Sequence, residues 1–96
     1  LQMRGRLVLD AGAVARLRES GSSLLPVGVI EVSGQFSRGE MVSCEDESGK
    51  RVACGLVNYD AEEALLIRRR KSSEIQDILG YVSEPELIHR DNMVVF

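Results

Sequence analysis

Apolar and polar residues alternate with a period of two in several short segments, which is the pattern of β-strands that bury one face. These segments are Arg6 to Leu9, Val29 to Gly34, the two arms of a hairpin between 41 and 58, and the final "NMVVF". Three of the strands follow one another with no helical segment between them. The pattern therefore predicts a domain built mainly from β-strands.

Apolar residues recur at helical spacing in three other segments. Asp10, before "AGAVARLRES", suits a helix N-cap, and Gly21 suits the left-handed residue that ends a helix over 11–20. Two further capping boxes precede apolar runs: Asp60 with Glu63, and Ser73 with Gln76. Gly80 follows the last run and predicts its end. The predicted order of elements is β-α-β-β-β-α-α-β.

The turn chemistry of the central hairpin predicts its register. If residues 47–49 form a three-residue loop with Gly49 left-handed, Asp46 faces Lys50. Continued along both arms, this register pairs Cys44 with Val52 and Val42 with Cys54, and it places these four side chains and Leu56 on one face. The two cysteines would be diagonal neighbours, too far apart for a disulfide, so we expect free thiols.

Short strands with glycines at the corners and helices nearby are typical of a small barrel-like sheet whose openings the helices cover. A split ferredoxin-like sandwich is the alternative, but three consecutive strands between the helices fit it poorly. The residues expected to have structural roles at corners and close contacts are Gly21, Pro26, Gly28, Gly39, Gly49 and Gly55.

Length and composition indicate one small domain with an aliphatic core. The chain has 96 residues, of which 44% are hydrophobic and only 4% aromatic. Twelve basic and fifteen acidic residues give a net charge of −3, which disfavours general nucleic-acid binding. No apolar run suits a bilayer and no signal peptide is visible, so we expect a cytoplasmic protein with no membrane partner. Residues 1–5 are interpreted as a linker or cloning remnant, and residues 6–96 as the domain.

The sequence contains no pattern typical of a catalytic or metal site. His89, the only histidine, lies between Ile88 and Arg90 in "IHRDN", where an extended chain would point adjacent side chains to opposite sides. A turn held by the Asp91 and Asn92 side chains is the favoured interpretation. There is no CxxC motif, phosphate-binding glycine loop or nucleophile elbow. We therefore expect no catalytic residue, no metal and no cofactor in this chain.

The run "RRRK", Arg68 to Lys71, is the most prominent charged feature. It ends a predicted helix, where cations complement the helix dipole. The alternative is a basic patch that contacts RNA phosphates or an acidic partner.

Several segments resemble a known domain family. "GSSLLPVGVIEVSGQFSRGEMV", followed by "VACGL", resembles the PUA domain, a pseudo-barrel found in RNA-modifying enzymes. "GLVNY", "SSEIQDILGY" and "IHRDNMVV" are similar to the C-terminal PUA domain of bacterial glutamate 5-kinases. The chain departs from that family at Arg69, where glycine is frequent, and at Cys54, where a basic residue is frequent.

The resemblance implies a longer parent enzyme that uses ATP and Mg to phosphorylate glutamate in proline biosynthesis. That chemistry would belong to an N-terminal amino-acid-kinase domain outside this chain, in a homo-oligomeric parent. The chain itself would be a non-catalytic regulatory or interaction module docked on the kinase domain. By analogy with other PUA domains it could instead bind RNA, weakly, and the PUA domain of an RNA-modifying enzyme is a third hypothesis. The candidate contacts for RNA or a partner are Arg16, Ser22, Ser23, Arg68, Arg69, Arg70, Lys71 and Arg90.

Overall fold

A computed structural model describes residues 2–96 and confirms the predicted order of elements. The strands are β1 (Gly5–Leu9), β2 (Val29–Gly34), β3 (Met41–Glu45), β4 (Arg51–Leu56) and β5 (Met93–Val95). The helices are α1 (Ala11–Ser20), α2 (Ala61–Ile67) and α3 (Ile75–Leu79). Three 3₁₀ turns cover Pro26–Gly28, Ser72–Glu74 and Arg90–Asn92. The first strand begins one residue earlier than predicted, and the Arg4 amide also donates to the Met41 carbonyl.

The five strands form one sheet in the order β2-β1-β3-β4-β5. β1 is parallel to β3 and antiparallel to β2, and the remaining pairs are antiparallel. Aliphatic side chains from the sheet and from all three helices supply most of a single buried core, as the low aromatic content predicts. The fold is thus mainly β with flanking helices. None of the helices within residues 2–96 has the length and apolar character that crossing a bilayer requires.

Local capping determines where α1 and α2 begin. The Asp10 carboxylate accepts a hydrogen bond of 2.8 Å from the Ala13 amide, and Gly21 ends α1 in the left-handed region at φ 60°. Asp60 and Glu63 form both bonds of the predicted capping box. The second predicted box, Ser73 with Gln76, is wrong. Ser73 lies inside a 3₁₀ turn, and α3 follows that turn directly without a side-chain cap.

The hairpin register is predicted correctly at the loop and wrongly beyond it. The Asp46 amide donates to the Lys50 carbonyl as expected. A bulge at Val52 then shifts the pairing by one residue, so that Cys44 faces Ala53 and Ser43 faces Cys54. Val52 and Ala53 are consequently both buried, whereas Cys54 is half-buried and Leu56 is exposed. The bulge reverses which face each later residue of β4 occupies.

An irregular segment, residues 80–88, covers part of the core. Tyr59 is fully buried, and its hydroxyl accepts hydrogen bonds from the Ser83 and Glu84 amides while donating to the Glu84 carbonyl. The Asn58 amide donates to the Leu87 carbonyl, and Leu24 pairs with Ile88 in an isolated bridge. Leu87 and Ile88 are thereby held fully buried in the core.

Both cysteines are free thiols, as predicted, and they differ in environment. Burial, together with the nearby Cys54 thiol and Glu45 carboxylate, raises the pKa of Cys44 to about 12. Because the thiolate is the reactive form, Cys44 should not react with a disulfide reagent in the native protein at pH 8. Only Cys54 should react in the native state, and two thiols should be counted after unfolding. A native count of two, or a count below two in the unfolded protein without reductant, would contradict this assignment.

Candidate interaction surface

Four of the predicted contact residues lie close together near the C-terminal end of α1: Arg16, Ser22, Ser23 and Arg90. Arg16 and Ser23 line one shallow crevice beside α1. The Ser23 hydroxyl accepts a hydrogen bond of 2.9 Å from the Arg90 amide. A guanidinium nitrogen of Arg90 lies 3.9 Å from the position that a Cβ on Gly21 would occupy. Ser22 is half-buried in the same connection, and its amide approaches the Arg16 carbonyl at 3.4 Å.

The three arginines of the basic run all have hydrogen-bond partners within the domain, while the Arg69 and Arg70 side chains stay 47% and 56% exposed. Arg68 donates to the Ile30 carbonyl at 2.8 Å. Arg69 donates to the Asp10 carboxylate at 2.6 Å and to the Val27 carbonyl at 2.9 Å. Arg70 forms an i,i+4 ion pair with Glu74. Among residues 2–96, no polar partner is found for the Lys71 side chain.

Arg69 has a backbone conformation that favours glycine, the residue that the resemblance leads us to expect at this position. Its φ is +64°, the only positive φ of a non-glycine residue within residues 2–96. Such a conformation costs an L-residue roughly 1–2 kcal/mol. The Arg69 amide donates to the Pro26 carbonyl at 2.9 Å, so both its backbone and its side chain join the end of α2 to the connection before β2.

The two carboxylate oxygens of Asp10 connect the start of α1 with Arg69. One oxygen caps α1 and the other accepts from Arg69. Partial burial pushes the pKa of Asp10 upward, but the hydrogen bonds from Arg69 and Ala13 and the charges of Arg69 and Arg16 outweigh it and hold the pKa below its usual value. Asp10 therefore neutralises part of the charge of Arg69 and Arg16.

The segment around His89 forms the predicted turn, but a side chain other than the two predicted ones holds it. Nδ1 of His89 accepts a hydrogen bond of 3.0 Å from the Asp91 amide at the start of the 3₁₀ turn. The predicted holding groups, the Asp91 and Asn92 side chains, do not make this bond. The imidazole therefore acts as a cap for the turn that presents Arg90.

The residues predicted to be structural lie at corners and at close contacts. Pro26 opens a 3₁₀ turn, Gly21, Gly39 and Gly49 have positive φ, and Gly28 and Gly55 lie in tight contacts. Gly55 shows the requirement most directly. A Cβ there would lie 2.7 Å from Ile88 Cγ2 and 2.8 Å from the Asn92 carbonyl oxygen, so the residue allows β5 to approach β4.

A second polar cluster, absent from the predicted contacts, lies beside α2. The Tyr81 hydroxyl donates to the Glu63 carboxylate, and Arg38 donates to the same hydroxyl while its guanidinium lies 5.9 Å from the Tyr81 ring centre. The bond to Glu63 raises the pKa of Tyr81. Glu63 thus serves α2 as a cap and also holds the segment that follows α3.

These placements reduce the set of available cations. Asp10, identified in the sequence only as a cap, partly compensates the charge of Arg69 and Arg16, and no sequence signal connects residue 10 with residue 69. The cations that remain oriented to solvent without a polar side-chain partner in the described chain include Arg16, Lys71 and Arg90. A few cations along α1 can contact a small number of phosphates or an acidic partner.

Comparison with known proteins shows the family to which the chain belongs. The family model of the PUA domain matches residues 5–79, and the chain belongs to the PUA domain family. It is 74% identical over 95 residues to a glutamate 5-kinase from Alcanivorax borkumensis, 68% to one from Halorhodospira halophila and 62% to one from Ralstonia nicotianae. The predicted resemblance to the PUA domain of glutamate 5-kinases is confirmed. These alignments cover 99% of the chain and 25% of each relative, so the chain spans about a quarter of their length.

Solved structures share the fold. A PUA domain from Aeropyrum pernix, solved as a tartrate complex, has a TM-score of 0.64 at 22% identity and covers 90% of this chain and 41% of its own. A conserved PUA domain protein from Thermoplasma acidophilum has a TM-score of 0.60 at 25% identity over 70% of this chain and 43% of its own. A chain of an archaeal box H/ACA sRNP complex has a TM-score of 0.59 at 20% identity over 64% of this chain and 19% of its own. The predicted pseudo-barrel is confirmed.

Two substitutions of Arg69 should distinguish the effect of its side-chain contacts on stability from the effect of its backbone strain. Arg69→Ala loses the bonds to Asp10 and Val27 but keeps the cost of a positive φ, whereas Arg69→Gly loses the same bonds and removes that cost. We expect Arg69→Ala to have a free energy of unfolding about 1 kcal/mol lower than Arg69→Gly. Arg70→Ala, which breaks only a surface ion pair, should change it by less than about 0.5 kcal/mol. Urea denaturation measures all three, and equal stability of the Ala and Gly variants would contradict the role of φ.

Proposed function

We propose that the chain is the C-terminal, non-catalytic PUA module of a glutamate 5-kinase. The parent would transfer the γ-phosphoryl group of ATP to the side-chain carboxylate of L-glutamate in the cytoplasm, as a step of proline biosynthesis. The observation that carries this proposal is the 74% identity over almost the whole chain to a relative four times as long. ATP and Mg would bind an amino-acid-kinase domain outside this chain, and the parent would be a homo-oligomer.

The arrangement of charged residues supports an accessory role. Phosphoryl transfer needs a phosphate-cradling loop, a cation on the phosphates and carboxylates on Mg²⁺ at one place. In the part of the chain that the structure describes, three arginines of the basic run have internal partners, and Asp10 and Asp60 cap helices. These contacts give the groups a role within the domain itself, which supports the proposal of a non-catalytic module. A regulatory or interaction role for the module is consistent with that use.

The proposal is tested by comparing the 96-residue chain with its full-length parent. The parent should release ADP from ATP in the presence of glutamate and Mg, and the 96-residue chain should release none above background. The parent should also show the activity with glutamate in preference to aspartate. Steady turnover by the 96-residue chain would overturn the non-catalytic assignment, and a parent inactive with glutamate would overturn the proposed enzyme.

RNA binding is a second candidate function, and the arginines along α1 favour it. Arg16 and Arg90 lie at one end of α1 beside the Ser23 hydroxyl, so two guanidinium groups and a hydroxyl could contact neighbouring phosphates. One structural neighbour belongs to an sRNP complex. The net charge of −3 and the internal use of Arg68, Arg69 and Arg70 imply that such binding would be weak.

Salt titration with matched variants should measure the affinity for RNA and locate the binding site. If Arg16, Lys71 and Arg90 are the phosphate contacts, the slope of log affinity against log salt should be no steeper than about −3. Arg16→Ala with Arg90→Ala should reduce binding of a structured tRNA at low salt at least about fivefold. The control is Arg4→Ala with Arg38→Ala, which removes the same charge near the β2–β3 turn and should change binding less than twofold. Tight binding at physiological salt that neither pair alters would exclude this surface as the RNA site.

A further inference from the structure

The two edges of the sheet differ in how well they are protected, and the β2 edge is covered. Exposed strand edges offer unpaired amides and carbonyls to other chains, and proteins usually protect them. α2 packs beside β2, and the Arg68 guanidinium donates to the Ile30 carbonyl at 2.8 Å. A helix and a charged side chain thus occupy this edge.

The β5 edge has no comparable protection. Among residues 2–96, the strand pairs only with β4, and no other backbone group bonds to it. Phe96 donates its amide to the Val52 carbonyl, so the alternation of a strand directs the Val95 amide away from β4. The strand contains no charge, proline or bulge. Its side chains are exposed by 60% at Val94, 36% at Val95 and 57% at Phe96.

The exposed apolar surface continues from β5 onto β4. Val94 faces Cys54, and Leu56, two residues along the same strand and therefore on the same face, is 37% exposed. Leu56 faces Met41 of β3, which is half-buried. We call the exposed side chains Leu56, Val94, Val95 and Phe96, with the free backbone of β5, the β5 edge.

The size of the β5 edge indicates what kind of partner fits it. Four partly exposed side chains offer on the order of 300 Å², whereas a stable complex of separate proteins buries about 800 Å² per partner. Pairing two copies through this edge alone would therefore be too weak for a stable dimer. A tethered partner needs much less area, because linkage raises its effective concentration to about the millimolar range. The relatives are four times as long as this chain, which leaves room for such a partner in the same polypeptide.

We propose that the β5 edge is the docking site for the kinase domain of the same polypeptide. This inference rests on the proposed function, since it takes the chain to be part of a glutamate 5-kinase. The complementary surface on the kinase domain would be an uncharged apolar segment with an extended backbone, which adds a strand or covers the Val95 amide and the Val94 and Phe96 side chains.

Hydrogen exchange tests the docking directly. The 96-residue chain and the full-length parent are compared by mass spectrometry on peptides that cover residues 92–96. We expect these amides to exchange at least about tenfold more slowly in the parent. Val94→Lys, which places a charge on the edge, should abolish this difference. Val82→Lys, at a site exposed by 44% outside the edge, should preserve it. Thermal unfolding of the 96-residue variants checks that both remain folded.

The possible results separate the docking from the proposed enzyme. Equal exchange in the 96-residue chain and the parent would overturn the docking, whether or not the parent phosphorylates glutamate. Protection that Val94→Lys removes would support the docking even in a parent inactive with glutamate, in which case only the enzyme assignment fails. Sedimentation of the 96-residue chain gives the remaining outcome. A dimer that Val94→Lys dissociates would identify a second copy as the occupant and overturn the proposal.

Discussion

The buried hydroxyl of Tyr59 is the interaction on which the rest of this fold depends. A hydroxyl in the core needs partners, because burying it without hydrogen bonds is costly. Residues 80–88 form no helix or strand, so their backbone groups also need partners. The hydroxyl and the Ser83 and Glu84 backbone satisfy one another. This places Leu87 and Ile88 in the core and leads the chain to the turn that presents Arg90 and to β5.

Sequence reasoning predicts those parts of the fold whose causes are local. Asp10 and Asp60 cap helices within three residues of themselves, and Gly21 and Gly80 end helices through their own backbone conformation. The order of elements follows from these signals and from the strand pattern. The bulge at Val52 has no such local signal, because Val52 and Ala53 are both small, apolar residues that suit either face. Serine is a residue type that often caps helices, but the chain around Ser73 forms a 3₁₀ turn instead.

The interaction surface is less predictable, because charge in a sequence does not reveal where a side chain finds its partner. In the sequence, Arg68 and Arg69 belong to a basic run, yet their partners lie 38 residues away for Arg68 and 59 residues away for Arg69. The sequence gives no sign that Ser23 and Arg90 lie together, since residues 23 and 90 are joined by a single long-range hydrogen bond. The resemblance, which implies glycine at position 69, gives a usable signal. It marks a backbone position whose φ is positive, which the structure shows for Arg69.

The position of β1 in the sheet also has a kinetic consequence. β3 and β4 are joined by a short turn, and such hairpins form within microseconds. β1, however, lies between β2 and β3 and is parallel to β3, so its pairing with β3 closes a long loop that includes α1 and β2. Contacts between distant parts of a chain slow folding relative to helical domains of equal size. Until β1 arrives, the edge of β3 that it will cover is open to other chains. Partly folded molecules can therefore associate through a strand that is central and inaccessible in the native state.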